Sequence, residues 1–324
     1  MRIKSYSEAL RDALDQEMAR DPRVIIMGED VRPGVMGVTQ GLYDTYGPTR
    51  VIDTPISETA FIGAAIGAAM TGLRPVVELM FCDFAGVCFD QILNQAAKLR
   101  YMTGGQISLP LVIRTTMGAG ERAAAQHSQS LHHLFTAIPG LKIVVPATAE
   151  DAAGLLLTAI RDPDPVIFFE NKMLYDSQMS VSDPAIALPF GKAHLLREGD
   201  DLTIVALSRM VGFARTACDE LAQKGISADL IDPRTTQPLD EAAILGSLHK
   251  TGHLLVVDEG SARCGMAADI ASLAASKGFH SLKAPVQMLT PPQTPIPFAP
   301  ELEDAWLPSS GDIEKAAYTL LQKV

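Results

Sequence analysis

Apolar and polar positions along the chain alternate between two periods. From Ser7 to Arg20 the apolar residues Leu10, Ala13, Leu14 and Met18 recur at helical spacing, and Asp21-Pro22 closes that helix. Val24–Met27 reads as a short apolar strand stopped by Gly28-Glu29-Asp30, and Val51-Ile52 as another. The pattern next predicts a helix over Glu58–Thr71, a strand over Val76–Met80 and a helix over Asp90–Tyr101. Strands at Leu109–Thr115 and Leu141–Val145, a helix over Glu150–Arg161 and a strand at Val166–Glu170 follow. Between Ser177 and Gly191 the pattern lapses into Ser, Asp and Pro. It then resumes with strands at Leu202–Leu207, Ala228–Ile231, Leu254–Asp258 and Val286–Leu289, separated by helices ending at Lys224, Leu248 and Lys277. Strands written as continuous Val/Ile/Leu runs between helices imply parallel sheets covered on both faces. The expected fold is α/β: two doubly wound domains, residues 1–180 and 190–324.

Composition narrows the function more than the fold. A length of 324 residues supports two domains with real cores. The formal net charge of −11 argues against a protein that coats nucleic-acid phosphates. Cys82, Cys88, Cys218 and Cys264 show neither CxxC nor zinc-finger spacing and read as reduced thiols. The longest apolar run, Thr59 to Leu73, falls short of the roughly 20 residues that span a bilayer. Met1-Arg2-Ile3-Lys4 starts no apolar signal core, so a cytoplasmic protein without membrane contact is expected. With 47% hydrophobic and only 20% charged residues, the chain holds more apolar surface than one globule needs, which suggests an obligate subunit.

Several motifs invite a chemical reading. Gly118-Ala-Gly120-Glu-Arg-Ala123 fits the GxGxxA dinucleotide fingerprint of a nicotinamide oxidoreductase, but no acidic residue follows about 20 positions on to hold a ribose. His249 and His253 stand four apart, but Gly252 between them marks a helix end, where cations sit well without a metal. In Gln126-His127-Ser128-Gln129, His127 can serve as an acid or base near neutral pH or as an ordinary loop residue. His132 and His133 read as exposed helix residues. Glu58 opens a helix apolar on every face, so that helix is expected to be buried. The helix N-terminus favours its anion by about 0.3–1 kcal/mol, whereas full desolvation opposes it by up to about 3–5 pKa units. From spacing alone Glu58 is an exposed first-turn glutamate beside a Ser57 cap; in a dry site it becomes a neutral hydrogen-bond donor.

Five segments in fixed order carry a resemblance: Asp53-Thr-Pro-Ile-Ser-Glu58, Glu78-Leu-Met80-Phe-Cys-Asp-Phe84, Asp90-Gln-Ile-Leu-Asn-Gln-Ala-Ala-Lys98, Ala125-Gln-His127-Ser-Gln129 and Pro139-Gly-Leu-Lys-Ile-Val-Val145. Together they resemble the β subunit of thiamine-diphosphate-dependent 2-oxo acid dehydrogenase complexes, from Tyr6 to Phe298. Gly63–Gly72 and Asn94–Met102 look most like the acetoin dehydrogenase branch, with pyruvate and branched-chain 2-oxo acid members close behind.

The resemblance implies a transketolase-like pyrimidine-binding domain followed by a transketolase C-terminal-like domain. It also implies an α2β2 heterotetramer that serves a lipoyl-bearing dihydrolipoyl acyltransferase core. The α subunit would hold magnesium and the diphosphate through a GDG…N motif, which this chain lacks. Glu58 would bond the pyrimidine ring nitrogen, Met80 and Phe84 would pack on that ring, and His127 would handle protons and meet the lipoyl group. Glu29 matches a second glutamate near the cofactor. The implied reaction is carbon–carbon cleavage of a small substrate, acetoin or a 2-oxo acid, with transfer of the remaining unit to lipoamide. Some members hold potassium at positions matching Leu111, Ala159, Ile160, Asp162 and Asp164, although Asp162-Pro-Asp-Pro is also an ordinary turn. The loop after Asp30 is shorter than in many relatives, and Asp164 stands where some carry Asn.

Overall fold

The computed structural model describes residues 1–322, which divide into two compact units. The first comprises Met1–Met117 and Leu134–Phe190; the second comprises Gly118–His133 and Gly191 onward. The segment 118–133, expected within the first domain, thus packs with the second unit.

In the first unit, strand β1 (Arg2–Ser5) leads into α1 (Tyr6–Arg20). Ser5 and Glu8 form a reciprocal capping box at the start of α1. Then follow β2 (Val24–Gly28), α2 (Leu42–Tyr46), β3 (Val51–Asp53), α3 (Glu58–Met70) and β4 (Arg74–Phe81). Helix α4 (Leu99–Met102), β5 (Val112–Met117), α5 (His132–Thr136, whose first two residues fall in the second unit), β6 (Lys142–Val144), α6 (Ala149–Arg161), β7 (Val166–Asn171) and β8 (Gln178–Val181) complete the series. Strands β6-β7-β5-β4-β2-β3 lie side by side, all parallel, and β1 pairs antiparallel with β8. β2 and β7 are buried along their whole length, as continuous apolar strands between helical layers must be. The helix expected over Asp90–Tyr101 is a π-helical turn, Gln91–Ala96, followed by α4. Gly28 (φ 153°) lets β2 approach β4, since a Cβ there would stand 2.5 Å from the Glu78 carbonyl.

Helix α3 departs from expectation. Although it is apolar all round, only Glu58, Phe61, Ile62, Ala65, Ile66 and Ala69 are buried. Thr59, Ala60, Ala64, Gly67 and Met70 face outward.

In the second unit, β9 (His194–Arg197), β10 (Leu202–Ala206), α7 (Met210–Gln223), β11 (Ala228–Asp232) and β12 (Thr235–Gln237) come first. Helix α8 (Glu241–Thr251), β13 (Leu254–Val257), α9 (Met266–Lys277), β14 (Gln287–Leu289), α10 (Pro300–Trp306) and α11 (Ser310–Gln322) follow. The sheet order is β14-β13-β10-β11-β9, parallel except for β9. The hydropathy pattern did not reveal β1, β8, β9, α10 or α11. Among the described residues, no helix is long and apolar enough to cross a membrane.

Candidate active site

Parallel sheets gather loops at the carboxyl ends of their strands, and the first unit concentrates its unusual chemistry there. Glu29 follows β2, Met80 lies at the end of β4 and Phe84 in the 3₁₀ turn Cys82–Gly86 after it, and Glu58 begins the helix after β3. Glu58 is 8% exposed, so the first-turn reading with an exposed carboxylate fails. Ser57 does not cap α3 with its side chain; its hydroxyl donates to the Pro55 carbonyl at 2.9 Å. Desolvation, with the nearby Glu58 charge second, pushes the Glu29 carboxyl above its ordinary value, and its Oε1 is buried without a hydrogen-bond partner. Cys88 belongs to the same neighbourhood: burial, and then Glu58, push its thiol up to about 12, so it is inert. A carboxyl group with an unanswered buried oxygen and a second carboxylate coupled to it mark a candidate functional site.

Met80 and Phe84 are half-buried, and Phe84 meets Phe81 edge-on at 6.0 Å. Apolar side chains and acidic groups that follow the carboxyl ends of the adjacent strands β2 and β4 suit a flat, nitrogen-containing ring such as an aminopyrimidine. Among the described residues, no group of three or more His, Cys, Asp or Glu side chains is arranged to hold a metal ion.

A buried charged network joins β4, β5 and β7, and the hydropathy pattern does not reveal it. Arg114, 1% exposed, donates to Glu170 through Nε and Nη2 (2.7 and 2.8 Å) and to Glu78 Oε2 (2.8 Å). Tyr175 donates to Glu170 Oε2 at 2.6 Å. Burial drives Glu78 above its ordinary value against the opposing pull of Arg114. Only one signal hinted at this: charged residues standing within otherwise apolar strands.

The expected potassium ligands are engaged inside the protein. Lys142 Nζ donates to both Asp162 oxygens (2.6 and 2.7 Å) and to Asp164 at 3.2 Å, while Arg100 pairs with Asp164. Arg74 donates to the Ile160 carbonyl at 2.8 Å, the Asp162 N–H reaches the Ala159 carbonyl at 3.3 Å, and the Val166 N–H takes the Leu111 carbonyl at 2.9 Å. Desolvation alone would raise Asp164, yet Arg100 and Lys142 hold it below the usual carboxylate range. With three protein cations already in place, this set does not fit a bound potassium ion.

His127 lies half-buried on the 118–133 segment, which belongs to the second unit. Strand β5 ends at Met117 and no helix begins before His132, so the dinucleotide fingerprint lacks its helix. Its amides meet carboxylates instead, Ala119 N–H donating to Glu259 and Gly120 N–H to Glu303. His132 is not exposed but 1% accessible, its Nε2 paired with Asp258 Oδ2 at 3.2 Å. Gly260 permits that pairing, because a Cβ there would lie 2.8 Å from Asp258 Oδ2. His133 is half-buried, and desolvation followed by the His132 charge lowers it. His249 bonds Ser281, and the buried His253 bonds the Asp201 carbonyl, so the two do not form a metal pair.

Residues 3–178 match the transketolase pyrimidine-binding domain, and residues 191–313 match the transketolase C-terminal domain. The β subunit of the acetoin:2,6-dichlorophenolindophenol oxidoreductase of Cupriavidus necator is 53% identical over 97% of this chain and 96% of its own. The chain belongs to the β subunits of thiamine-diphosphate-dependent dehydrogenases. Within that family, the pyruvate dehydrogenase E1 component subunit beta of Rickettsia bellii is 48% identical over 95% of this chain and 96% of its own. A solved split-gene transketolase, an inactive β4 tetramer, shares the fold at a TM-score of 0.81 and 24% identity, covering 98% of both chains. As a family β subunit, this protein is part of an oxidoreductase and carries the α/β transketolase-type fold.

Proposed function

We propose that this chain is the β subunit of an acetoin dehydrogenase that cleaves acetoin and passes the two-carbon unit to lipoamide. The observation that carries the catalytic part is the electrostatically coupled pair of the buried Glu58 and the half-buried Glu29, with Met80 and Phe84 following from the adjacent strand β4. The acetoin part rests on the higher identity to the acetoin enzyme, 53% against 48% for the pyruvate enzyme. In this reading residues 1–180 bind the pyrimidine and residues 190–324 help dock the acyltransferase core. The bound cofactor supplies an electron sink for carbon–carbon cleavage. Glu58 holds a proton at the pyrimidine nitrogen. Glu29, with its raised affinity for a proton, exchanges one at the same place. Met80 and Phe84 orient the ring and exclude water. His127 gives and takes a proton at the substrate oxygen.

Magnesium and the diphosphate are held by an α subunit in an α2β2 assembly, located in the cytoplasm. The outward stripe of Ala60, Ala64 and Gly67 on α3, with Ile56 at 82%, Val87 at 58% and Tyr101 at 89% exposure, gives that assembly apolar surface to bury. The test is reconstitution with the α subunit, thiamine diphosphate and magnesium, using a dye acceptor to compare acetoin, pyruvate and 3-methyl-2-oxobutanoate. Acetoin should give the highest kcat/KM. A higher value with either 2-oxo acid would move the assignment to that branch, and turnover by the chain alone would refute the subunit reading.

A further inference from the structure

The segment that carries His127 is fastened at both ends to carboxylates of its own unit. At the near end, the Ala119 N–H donates to Glu259 Oε1 at 2.5 Å, and the Ala119 carbonyl accepts from Arg209 at 3.0 Å. The Gly120 N–H donates to Glu303 Oε1 at 2.7 Å, and the Arg122 N–H to Glu303 Oε2 at 3.2 Å. The Arg122 guanidinium then bridges Glu303 and Asp304, each at 2.7 Å. At the far end His132 pairs with Asp258, which its partners hold below the usual carboxylate range despite complete burial. The Gly118 N–H reaches the Gln129 carbonyl at 3.1 Å and draws the two ends together.

Glu303 is fully buried on a surface helix, and the loop backbone and Arg122 are the donors that answer its carboxylate. Arg122 and Ala124 adopt left-handed backbone angles (φ 61° and 60°), a conformation that non-glycine residues hold only when their surroundings enforce it. Arg122 and His132 each stand five positions from His127, one on either side.

We propose that Glu303 and Arg122, together with Glu259 and Asp258, are positioning residues for His127. This rests on the reading of His127 as a proton-handling residue. The carboxylates fix the conformation of the loop, and the loop fixes the imidazole. A displacement of about 1 Å at a reacting group costs up to about 100-fold in rate, so partial loosening of one end should cost about 10-fold.

The test uses the reconstituted α–β complex with His127→Ala, Arg122→Ala, Arg122→Lys and Glu303→Gln. Arg122 is 34% exposed in its side chain, so its variants leave the core intact. Arg122→Ala should lower kcat about 10-fold at unchanged substrate KM, with Arg122→Lys recovering much of it. The limb of the pH–rate profile lost in His127→Ala should be shifted in Arg122→Ala and Glu303→Gln. Amide exchange should rise in residues 118–131 alone. Wild-type kcat and pH profile in both Arg122→Ala and Glu303→Gln, within a complex that His127→Ala disables, would overturn the positioning role. So would a loss of rate accompanied by faster exchange across the whole chain. Wild-type kinetics in His127→Ala itself would instead overturn the His127 reading beneath it.

Discussion

Replacing Lys142 with Met removes the ammonium that stands where family members can hold potassium. In the wild type it makes three contacts, at 2.6, 2.7 and 3.2 Å, with Asp162 and Asp164. The side chains of Lys142, Asp162 and Asp164 are 28%, 13% and 30% exposed, so the cluster is neither solvent-screened nor sealed. Exposed pairs contribute about 0–1 kcal/mol, and removing one partner of a buried pair costs about 3–5 kcal/mol. An intermediate cost of about 1–3 kcal/mol follows, because Arg100 still answers Asp164 while Asp162 keeps only the Asp164 N–H at 2.9 Å. For a unit of this size, that lowers the melting midpoint by roughly 3–10 °C. The assay is thermal unfolding of wild type and variant in potassium, sodium and choline chloride at equal ionic strength. Wild type should melt identically in the three salts. The variant should melt lower, and potassium should restore part of the loss, because removing the ammonium leaves Asp162 Oδ2 without its partner and open to a hard cation. Potassium-specific stabilisation of the wild type would refute the argument, as would a variant midpoint within about 1 °C of the wild type.

Other consequences are simpler to check. Glu58→Gln should lower turnover of the reconstituted enzyme by about 10²–10⁴-fold, because an amide cannot exchange the proton, while the circular dichroism spectrum stays unchanged. Glu29 has a raised carboxyl in the fold, so its ionisation opposes folding once the pH exceeds the unfolded carboxylate range. Glu29→Gln should therefore raise the melting midpoint at pH 7–8, and the gain should vanish below about pH 4; a gain that persists in acid would contradict the desolvation argument. Ala64→Arg, on the outward stripe of α3, should leave the isolated chain's stability within about 0.5 kcal/mol yet abolish co-elution with the α subunit in size-exclusion chromatography.

Much of the architecture was legible because its signals are local. The helix over Met266–Lys277 lies where its periodicity put it, and Val166–Asn171 is a strand buried on both faces, as an uninterrupted apolar run between helices must be. Elements with mixed polarity escaped that reasoning. β1 and β8 form an edge ribbon with half-polar sequences, and β9 sits at a sheet margin, where burial imposes no pattern. Helix α3 was legible as a helix but not in its surroundings. Uniform apolarity shows that every face avoids water, not whether this chain or another supplies the cover.

The sequence by itself determined the alternation of strand and helix, the motifs that mark the family, and the identity of the acidic and imidazole groups available for chemistry. Only the tertiary structure decided which of those groups are dry and which have partners. Glu58 is buried because the packing of α3 withdraws its first turn from water, a fact no spacing rule contains. His132 is buried because Gly260 leaves room for it against Asp258, 126 residues away in sequence. Asp162 and Asp164 are held by Lys142 and Arg100, which parallel strands and a helix end bring within hydrogen-bond reach. Charge and proton affinity depend on distance and dielectric, and both are set by which distant segments fold against one another.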